Sequence, residues 1–354
     1  MPPRVVLSGY YGFGNVGDDA ILQALTAELH AAGAESVLVP AGPLRERLGV
    51  LPGVRFCGQR DRHAIAAELR AGAVLLSGGG GLFQDATSLR SLLYYAGVVE
   101  LARWYRRPWA IVAQSLGPLR RPLARALTGR CLRGARAVSV RDALSQAEAV
   151  ALGRPGEQVL LSVDPVFALP APTAAELQQA EEVLPPGPCI ALCLRSTNHV
   201  ETVLQAVAAA ALPAEASLVA VACQAADEPV HEALAERLGR PLHCCAAADV
   251  RHTLAVLGAC ELVLAERLHA IIFAVLCGRP VLAVDYDPKV RGLAEQVGVP
   301  LAGTDRELSA ARLASLADEL WSRREQVGAD LLDRAAMARQ RVRADLRTVF
   351  ESLA

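Results

Sequence analysis

Short apolar runs rich in Val, Ile and Leu recur along this chain, and each is followed by a stretch with helical spacing. Strands separated by helices cannot close as tight hairpins. They run parallel, and a parallel sheet covered on both faces needs strands that are apolar throughout. The first half offers Val5–Ser8, Ser36–Val39, Ala73–Ser77, Trp109–Ala113, Ala137–Val140 and Val159–Val163 as such strands. Helical patterns lie between them, such as Ala20–Leu29, where Ile21, Leu25 and Leu29 share one face. Prolines then crowd the stretch from Asp164 to Pro188, as at an interdomain connection. The alternation restarts with Ile190–Leu194, Ser217–Val221, Leu262–Ala265 and Val281–Val284, and the chain closes on two amphipathic helices from about Asp305.

A chain of 354 residues, 53% hydrophobic and 21% charged, suits two domains of ordinary size. The expected division is a Rossmann-like domain over 1–168, a linker over 169–188, a second Rossmann-like domain over 189–304 and C-terminal helices over 305–354. This is an α/β architecture of GT-B type, two parallel-sheet domains facing a central crevice where ligands meet the C-terminal ends of the strands. The net charge of −1, with both signs interleaved, gives no footprint for nucleic acid. No apolar run reaches the ~18 residues of a membrane span. Met1-Pro2-Pro3-Arg4 leads directly into a strand, without the pattern of a signal peptide. Nine cysteines form no CxxC pair and no zinc framework, so they read as reduced core residues. A cytoplasmic protein without a metal site is expected.

Four segments at strand ends carry candidate chemistry. Gly12-x-Gly14-x-x-Gly17 matches the dinucleotide fingerprint, but the second strand ends in Val39-Pro40-Ala41-Gly42, without the carboxylate that binds a ribose. A nicotinamide site is therefore not expected. On the same loop, Asn15 and Asp18 point to hydroxyl binding, with Asp18 equally readable as a helix cap. Ser77-Gly78-Gly79-Gly80-Gly81-Leu82-Phe83-Gln84-Asp85 follows a strand, and its glycines suit close approach of a ligand or a nest of amides for an anion. Arg141, closing another strand, can fork onto a carboxylate or phosphate, or salt-bridge to Asp142 or a neighbour. Glu266-Arg267-Leu268-His269 and Asp287-Pro288-Lys289 occupy equivalent points of successive βα units, each at a helix N-terminus. Arg267, His269 and Lys289 thus form a cationic cluster that calls for an anionic substrate. Lys289 is the one lysine among 36 cationic Lys and Arg residues, which suggests a need for a compact ammonium.

Taken together, these segments resemble the polysaccharide pyruvyl transferase family, most closely its CsaB-type branch. The likeness rests on Ser8-Gly9-Tyr10-Tyr11-Gly12-Phe13 with Asn15-Val16-Gly17-Asp18, the Ser77–Asp85 segment, Ser139-Val140-Arg141-Asp142, Asp164-Pro165-Val166-Phe167, Glu266–His269 and Tyr286–Val290. Departures from the family pattern fall at Ala113–Pro118 and at Asp19. The resemblance implies transfer of a pyruvyl group from phosphoenolpyruvate to a sugar as a ketal, with loss of phosphate and without a cofactor. It places Arg141, Arg267, Leu268, His269 and Lys289 at the donor. It leaves Asn15, Asp18, Gly79, Gly80, Gln84 and Asp85 to the acceptor. For the CsaB-type branch the acceptor is a lipid-linked cell-wall precursor containing N-acetylmannosamine, whose ketal helps anchor S-layer proteins. Peripheral contact with the inner face of the membrane and an oligomer are compatible with this. Independently, the charge of phosphoenolpyruvate suits Arg141, Arg267 and Lys289, and His269 suits general acid–base work. Two other readings stand beside it. A glycosyltransferase using a nucleotide-sugar donor would need a ribose-binding carboxylate in the second domain, for which Asp227-Glu228 is the candidate. A non-catalytic sugar-binding protein of cell-wall assembly would explain the glycine loops but not the cationic cluster.

Overall fold

The computed structural model describes residues 4–86 and 88–353, which build two parallel sheets flanked by helices. The first sheet contains β1 (Arg4–Ser8), β2 (Ser36–Ala41), β3 (Val54–Gly58), β4 (Val74–Gly80), β5 (Trp109–Gln114), β6 (Ala137–Val140) and β7 (Val159–Leu161), in the order β3-β2-β1-β4-β5-β6-β7. The second contains β8 (Cys189–Cys193), β9 (Ser217–Val221), β10 (Leu242–Cys245), β11 (Leu262–Ala265), β12 (Val281–Asp285) and β13 (Leu301–Thr304), in the order β10-β9-β8-β11-β12-β13. Both orders reverse beside their first strand. The reversal lies between β1 and β4 in one sheet and between β8 and β11 in the other. Connections leave such a point toward opposite faces, so the strand ends there stand open to a ligand. The architecture is that of the GT-B-like α/β class.

Helices of the first sheet are α1 (Val16–Ala31), α2 (Arg62–Arg70), α3 (Leu89–Trp104), α4 (Pro122–Gly134) and α5 (Ala143–Ala151). Those that follow are α6 (Ala174–Val183), α7 (Val200–Ala209), α8 (Glu228–Ala235), α9 (Val250–Gly258), α10 (Leu268–Leu276), α11 (Pro288–Val297), α12 (Ala310–Ser322) and α13 (Arg324–Glu351). Several begin on a side chain that accepts a first-turn amide: Asn15, Asp142, Thr173, Asp249, Asp287 and Ser309. Each sheet has its own core. Val6, Leu75, Ile111 and Val138 belong to one, and Ile190, Leu192, Leu264 and Val284 to the other. All nine cysteines are unbridged, and Cys131, Cys189, Cys193, Cys223 and Cys260 are buried. Among the described residues no helix is long and apolar enough to cross a membrane.

The chain divides into two compact units, residues 1–169 with 338–354, and residues 170–337. Two expected segments dissolve in this division. The proline-marked stretch expected as a linker over 169–188 contributes α6 to the second unit. There Arg251 grips Glu176 through Nε at 2.8 Å and through Nη2, and donates from Nη1 to the Pro170 carbonyl. The helices expected as one block over 305–354 are shared out. Helix α12 lies in the second unit, whereas the end of α13 counts with the first, where Arg339 donates to the Phe167 and Leu169 carbonyls and Arg343 pairs with Glu28.

Strand β4 also departs from expectation. It does not stop at Ser77 but continues through Gly78, Gly79 and Gly80. A Cβ on Gly78 would meet Leu7 Cδ1 at 2.7 Å, and one on Gly79 would meet Ile21 Cγ2 at 2.2 Å. The backbone is left-handed at Gly79 (φ +61°) and Gly80 (φ +79°). These glycines therefore let α1 lie close on β4, which is close packing within the unit.

Candidate active site

In the second unit, β8, β11 and β12 are neighbours in register, with Cys193 beside Ala265 and Ala265 beside Ala283. The residues that follow these strands therefore meet at one edge. Arg267 is the N-cap of α10, and its side chain does not cap the helix. Instead its guanidinium forks onto Asp227, with Nε 3.0 Å from Oδ2 and Nη2 on Oδ1. Asp227 is fully buried and also accepts the amides of Cys223 at 3.1 Å and Gln224 at 3.2 Å. With its acceptor capacity taken up, this carboxylate is committed to holding Arg267, and Glu228 accepts the Ala247 amide. Asp227 is thus taken up by Arg267, and Glu228 keeps one oxygen outside its backbone contact.

His269 is the second residue of α10 and is half-buried, in the first turn of a helix whose residues Ala270–Leu276 are wholly buried. Leu268 is buried and packs rather than faces solvent. Lys289 is the second residue of α11. Its amide is capped by Asp287 Oδ1 at 3.1 Å, and its ammonium lies 3.6 Å from Asp287 Oδ2 and 5.7 Å from the Tyr286 ring. Arg267, His269 and Lys289 are thus gathered at the ends of two adjacent strands. The open cavity of about 500 Å³ lined by Glu261, Arg279, Arg324 and Gly328 lies elsewhere, at the N-terminal ends of β11 and β12. The chemistry-bearing side chains are at the opposite edge, and a site is placed by those groups rather than by volume.

Glu266 is a residue whose importance sequence reasoning did not isolate. It precedes Arg267 in the chain and is fully buried, with Oε2 accepting the Arg195 amide at 2.9 Å and Oε1 without a hydrogen-bond partner. Burial pushes its carboxyl up to about 7, against the opposing pull of the Arg195 amide and the Arg195 and Arg267 charges. A carboxyl raised in the folded state binds its proton more tightly there than in the unfolded chain. Its stabilising contribution is therefore present below the unfolded value of 4.5 and is lost as pH rises toward 7. Glu266→Gln, which is neutral at every pH, should flatten this dependence. Urea titration at pH 5 and pH 8 should show wild type losing about 2–3 kcal/mol more than the variant over that interval. Parallel loss in both proteins would show that Glu266 does not titrate in this range.

In the first unit, Arg141 is nearly buried. Its Nε donates to Ser115 Oγ at 2.8 Å and its Nη1 pairs with Asp164. The partner is thus Asp164 and not the adjacent Asp142, which caps α5 and accepts the Ser115 hydroxyl at 2.9 Å. Asn15, expected to hold hydroxyl groups, is the cap of α1, and Asp18 lies in its first turn against Gly80. Asp19 takes the Gly12 amide at 2.8 Å, and burial raises its carboxyl to about 7. Gln84 is half-buried. Asp85 is buried and anchors a loop, its two oxygens accepting the Arg120 and Arg121 amides at 2.8 Å each. Gln114, which sequence reasoning did not single out as a site residue, bridges the glycine segment: its Nε2 donates to Gly79 O at 3.0 Å and its Oε1 accepts from Leu82 N at 3.1 Å. The residues of these loops thus have structural work inside the unit, and Asn15, Gly79 and Asp85 have it most completely.

Several solved structures share the fold over nearly the whole chain. Sucrose-phosphate synthase from Thermosynechococcus elongatus superposes with a TM-score of 0.70 at 16% identity, covering 99% of this chain and 98% of its own. HepE of Anabaena, solved with UDP and glucose, gives 0.65 at 14% identity over 98% of both chains. The UDP-GlcNAc 2-epimerase of Neisseria meningitidis gives 0.64 at 10% identity, covering 98% of this chain and 99% of its own. At such identities the likeness is one of fold. The sequence itself is more specific, since the model of the polysaccharide pyruvyl transferase family matches residues 15–288, a span that holds Arg141, Arg267, His269 and the caps of α1 and α11. On that match, the chain belongs to the polysaccharide pyruvyl transferase family.

Proposed function

We propose that this protein transfers the pyruvyl group of phosphoenolpyruvate to two hydroxyls of a sugar, forming a ketal and releasing phosphate. The observation that supports this most is the gathering of Arg267, His269 and Lys289 at the ends of β11 and β12 in a chain of the pyruvyl transferase family. A proton delivered to the methylene carbon of the donor makes a methyl group and leaves the adjacent carbon electron-poor. One sugar hydroxyl adds to that carbon and loses its proton. The carbon–oxygen bond to phosphate then breaks, and the second hydroxyl closes the ketal with loss of its own proton. His269 moves a proton in this sequence. Arg267 and Lys289 balance the donor's charge, and Lys289 supports the departing phosphate. Arg141 is carried in the proposal as a further anion-binding cation. The acceptor is assigned to the loops after β1 and β4, through Asp18 and Gln84 together with the framework of Asn15, Gly79, Gly80 and Asp85. The acceptor we favour is an N-acetylmannosamine-containing, lipid-linked cell-wall precursor of the CsaB-type branch, met at the inner face of the membrane. No resident cofactor takes part in this scheme.

Incubation with phosphoenolpyruvate and a β-linked N-acetylmannosamine–N-acetylglucosamine acceptor should release phosphate in step with an acid-labile ketal. Phosphate release without the ketal, or no turnover across several sugar acceptors, would count against the reading. The nucleotide-sugar alternative predicts calorimetric binding of a uridine diphosphate sugar, which this reading does not.

The solitary lysine gives a sharper test. Lys289→Arg keeps the charge but replaces a compact ammonium with a planar fork on a longer reach. We expect kcat to fall on the order of ten-fold with an unchanged unfolding midpoint. Activity within two-fold of wild type would mean that charge alone suffices at this position.

A further inference from the structure

We propose that Arg195, whose guanidinium sits over the ring of Tyr286, is an anion-binding cation of the donor site. The inference rests on the reading of that edge as the place where phosphoenolpyruvate binds. Arg195 lies two residues beyond β8, at the point where the strand order of the second sheet reverses between β8 and β11. In open parallel sheets this is where ligands sit. Its guanidinium carbon is 4.2 Å from the centroid of Tyr286, the residue that follows β12. Three adjacent strand ends thus meet: β8 supplies Arg195, β11 supplies Glu266 and Arg267, and β12 supplies Tyr286.

Charge at this edge points the same way. Arg267 is already matched by Asp227, and Lys289 has Asp287 at 3.6 Å. Among the described residues, Arg195 is within salt-bridge distance of no carboxylate, and its Nε is buried without a hydrogen-bond partner. The nearby carboxyl of Glu266 is turned to another task, accepting the Arg195 backbone amide at 2.9 Å. A guanidinium with no carboxylate in salt-bridge reach, set over an aromatic ring and with an Nε that lacks an acceptor, is prepared for an incoming oxyanion. The ring restricts the guanidinium, so less freedom is lost when the anion arrives. The ligand chemistry is an oxyanion, either the carboxylate or the phosphate of the donor.

The test compares wild type with Arg195→Met, Arg195→Lys and Tyr286→Leu. Each is titrated calorimetrically with phosphoenolpyruvate and with inorganic phosphate, and each is assayed for turnover. Arg195→Met should weaken phosphoenolpyruvate binding ~10- to 100-fold, the span expected for a lost charge-assisted contact. It should raise KM for phosphoenolpyruvate more than it lowers kcat. Arg195→Lys should recover part of the affinity, and Tyr286→Leu should weaken it less than Arg195→Met. If phosphate binding falls in parallel, Arg195 takes the phosphate. If phosphate binding is retained, it takes the carboxylate. Arg195→Met that folds and binds phosphoenolpyruvate within two-fold of wild type overturns the proposal. Should wild type bind phosphoenolpyruvate but fail to transfer it, the proposed function fails while Arg195 is still judged by these affinities. Should wild type bind neither anion, both fail.

Discussion

Replacing His269 by alanine is expected to lower kcat by ~10²–10⁴-fold, the usual worth of a general acid–base group. The expectation has a structural side. His269 stands in the first turn of α10, is only half-buried, and leaves the apolar face of the helix to Ala270, Ile271, Phe273 and Ala274. Truncation there removes little core, so the unfolding midpoint should stay near that of wild type. Loss of rate without loss of stability separates chemistry from folding. His269→Asn supplies the complementary measurement: it preserves a polar side chain of similar size but cannot move a proton near neutral pH. If proton transfer is the role, the two variants should be equally slow. A rate within a few-fold of wild type for His269→Ala would remove His269 from the chemistry. A slow alanine variant beside a nearly active asparagine variant would assign it to binding.

Much of the fold was legible because parallel sheets write themselves as apolar runs. The central strands β1, β4, β5, β8, β11 and β12 lie where the Val/Ile/Leu runs predict them. The unread strands are β3, β10 and β13, and each lies at an edge of its sheet. All but Ala302 of their side chains are half-buried or exposed, as in Arg55, His243 and Cys244, so no continuous apolar run marks them. At the site, the βα junctions at Arg267, His269 and Lys289 were legible from their position after strands. What those side chains touch was not, because the partners lie far away in sequence. Asp227 is 40 residues from Arg267, and Asp164 is 23 from Arg141. In the sequence Glu266 stands out only as part of a motif, since burial is invisible in one dimension. Arg195 had a readable signal: it follows an apolar run just as Arg267 does. The glycines of β4 are ambiguous in sequence, because close packing against Ile21 and close approach of a ligand demand the same missing side chain.

Asp227→Ala should cost about 3–5 kcal/mol of stability, the penalty of stranding one member of a buried ion pair. Three donors lose their acceptor together: the Arg267 guanidinium and the amides of Cys223 and Gln224. Removing the charge on both sides should be far milder, because a buried pair replaced by apolar groups leaves nothing unsatisfied except the two amides. A double-mutant cycle of Asp227→Ala with Arg267→Met in urea should therefore yield a coupling above about 1 kcal/mol. Coupling below about 0.5 kcal/mol would mean that the two side chains act independently, and that the fork does not hold in solution. Activity adds the more telling contrast. If Asp227 serves to aim Arg267, then Asp227→Asn, which keeps an oxygen for the amides but gives up the charge, should lose less stability than Asp227→Ala. It should still raise KM for phosphoenolpyruvate, because the guanidinium is no longer fixed on both carboxylate oxygens. The charge of Arg267 would by contrast be better exposed to the donor once its partner is neutral. A fall in KM for Asp227→Asn would therefore show that charge outweighs aim at this position, and a rise would show that the fixed fork matters more than the unmatched charge.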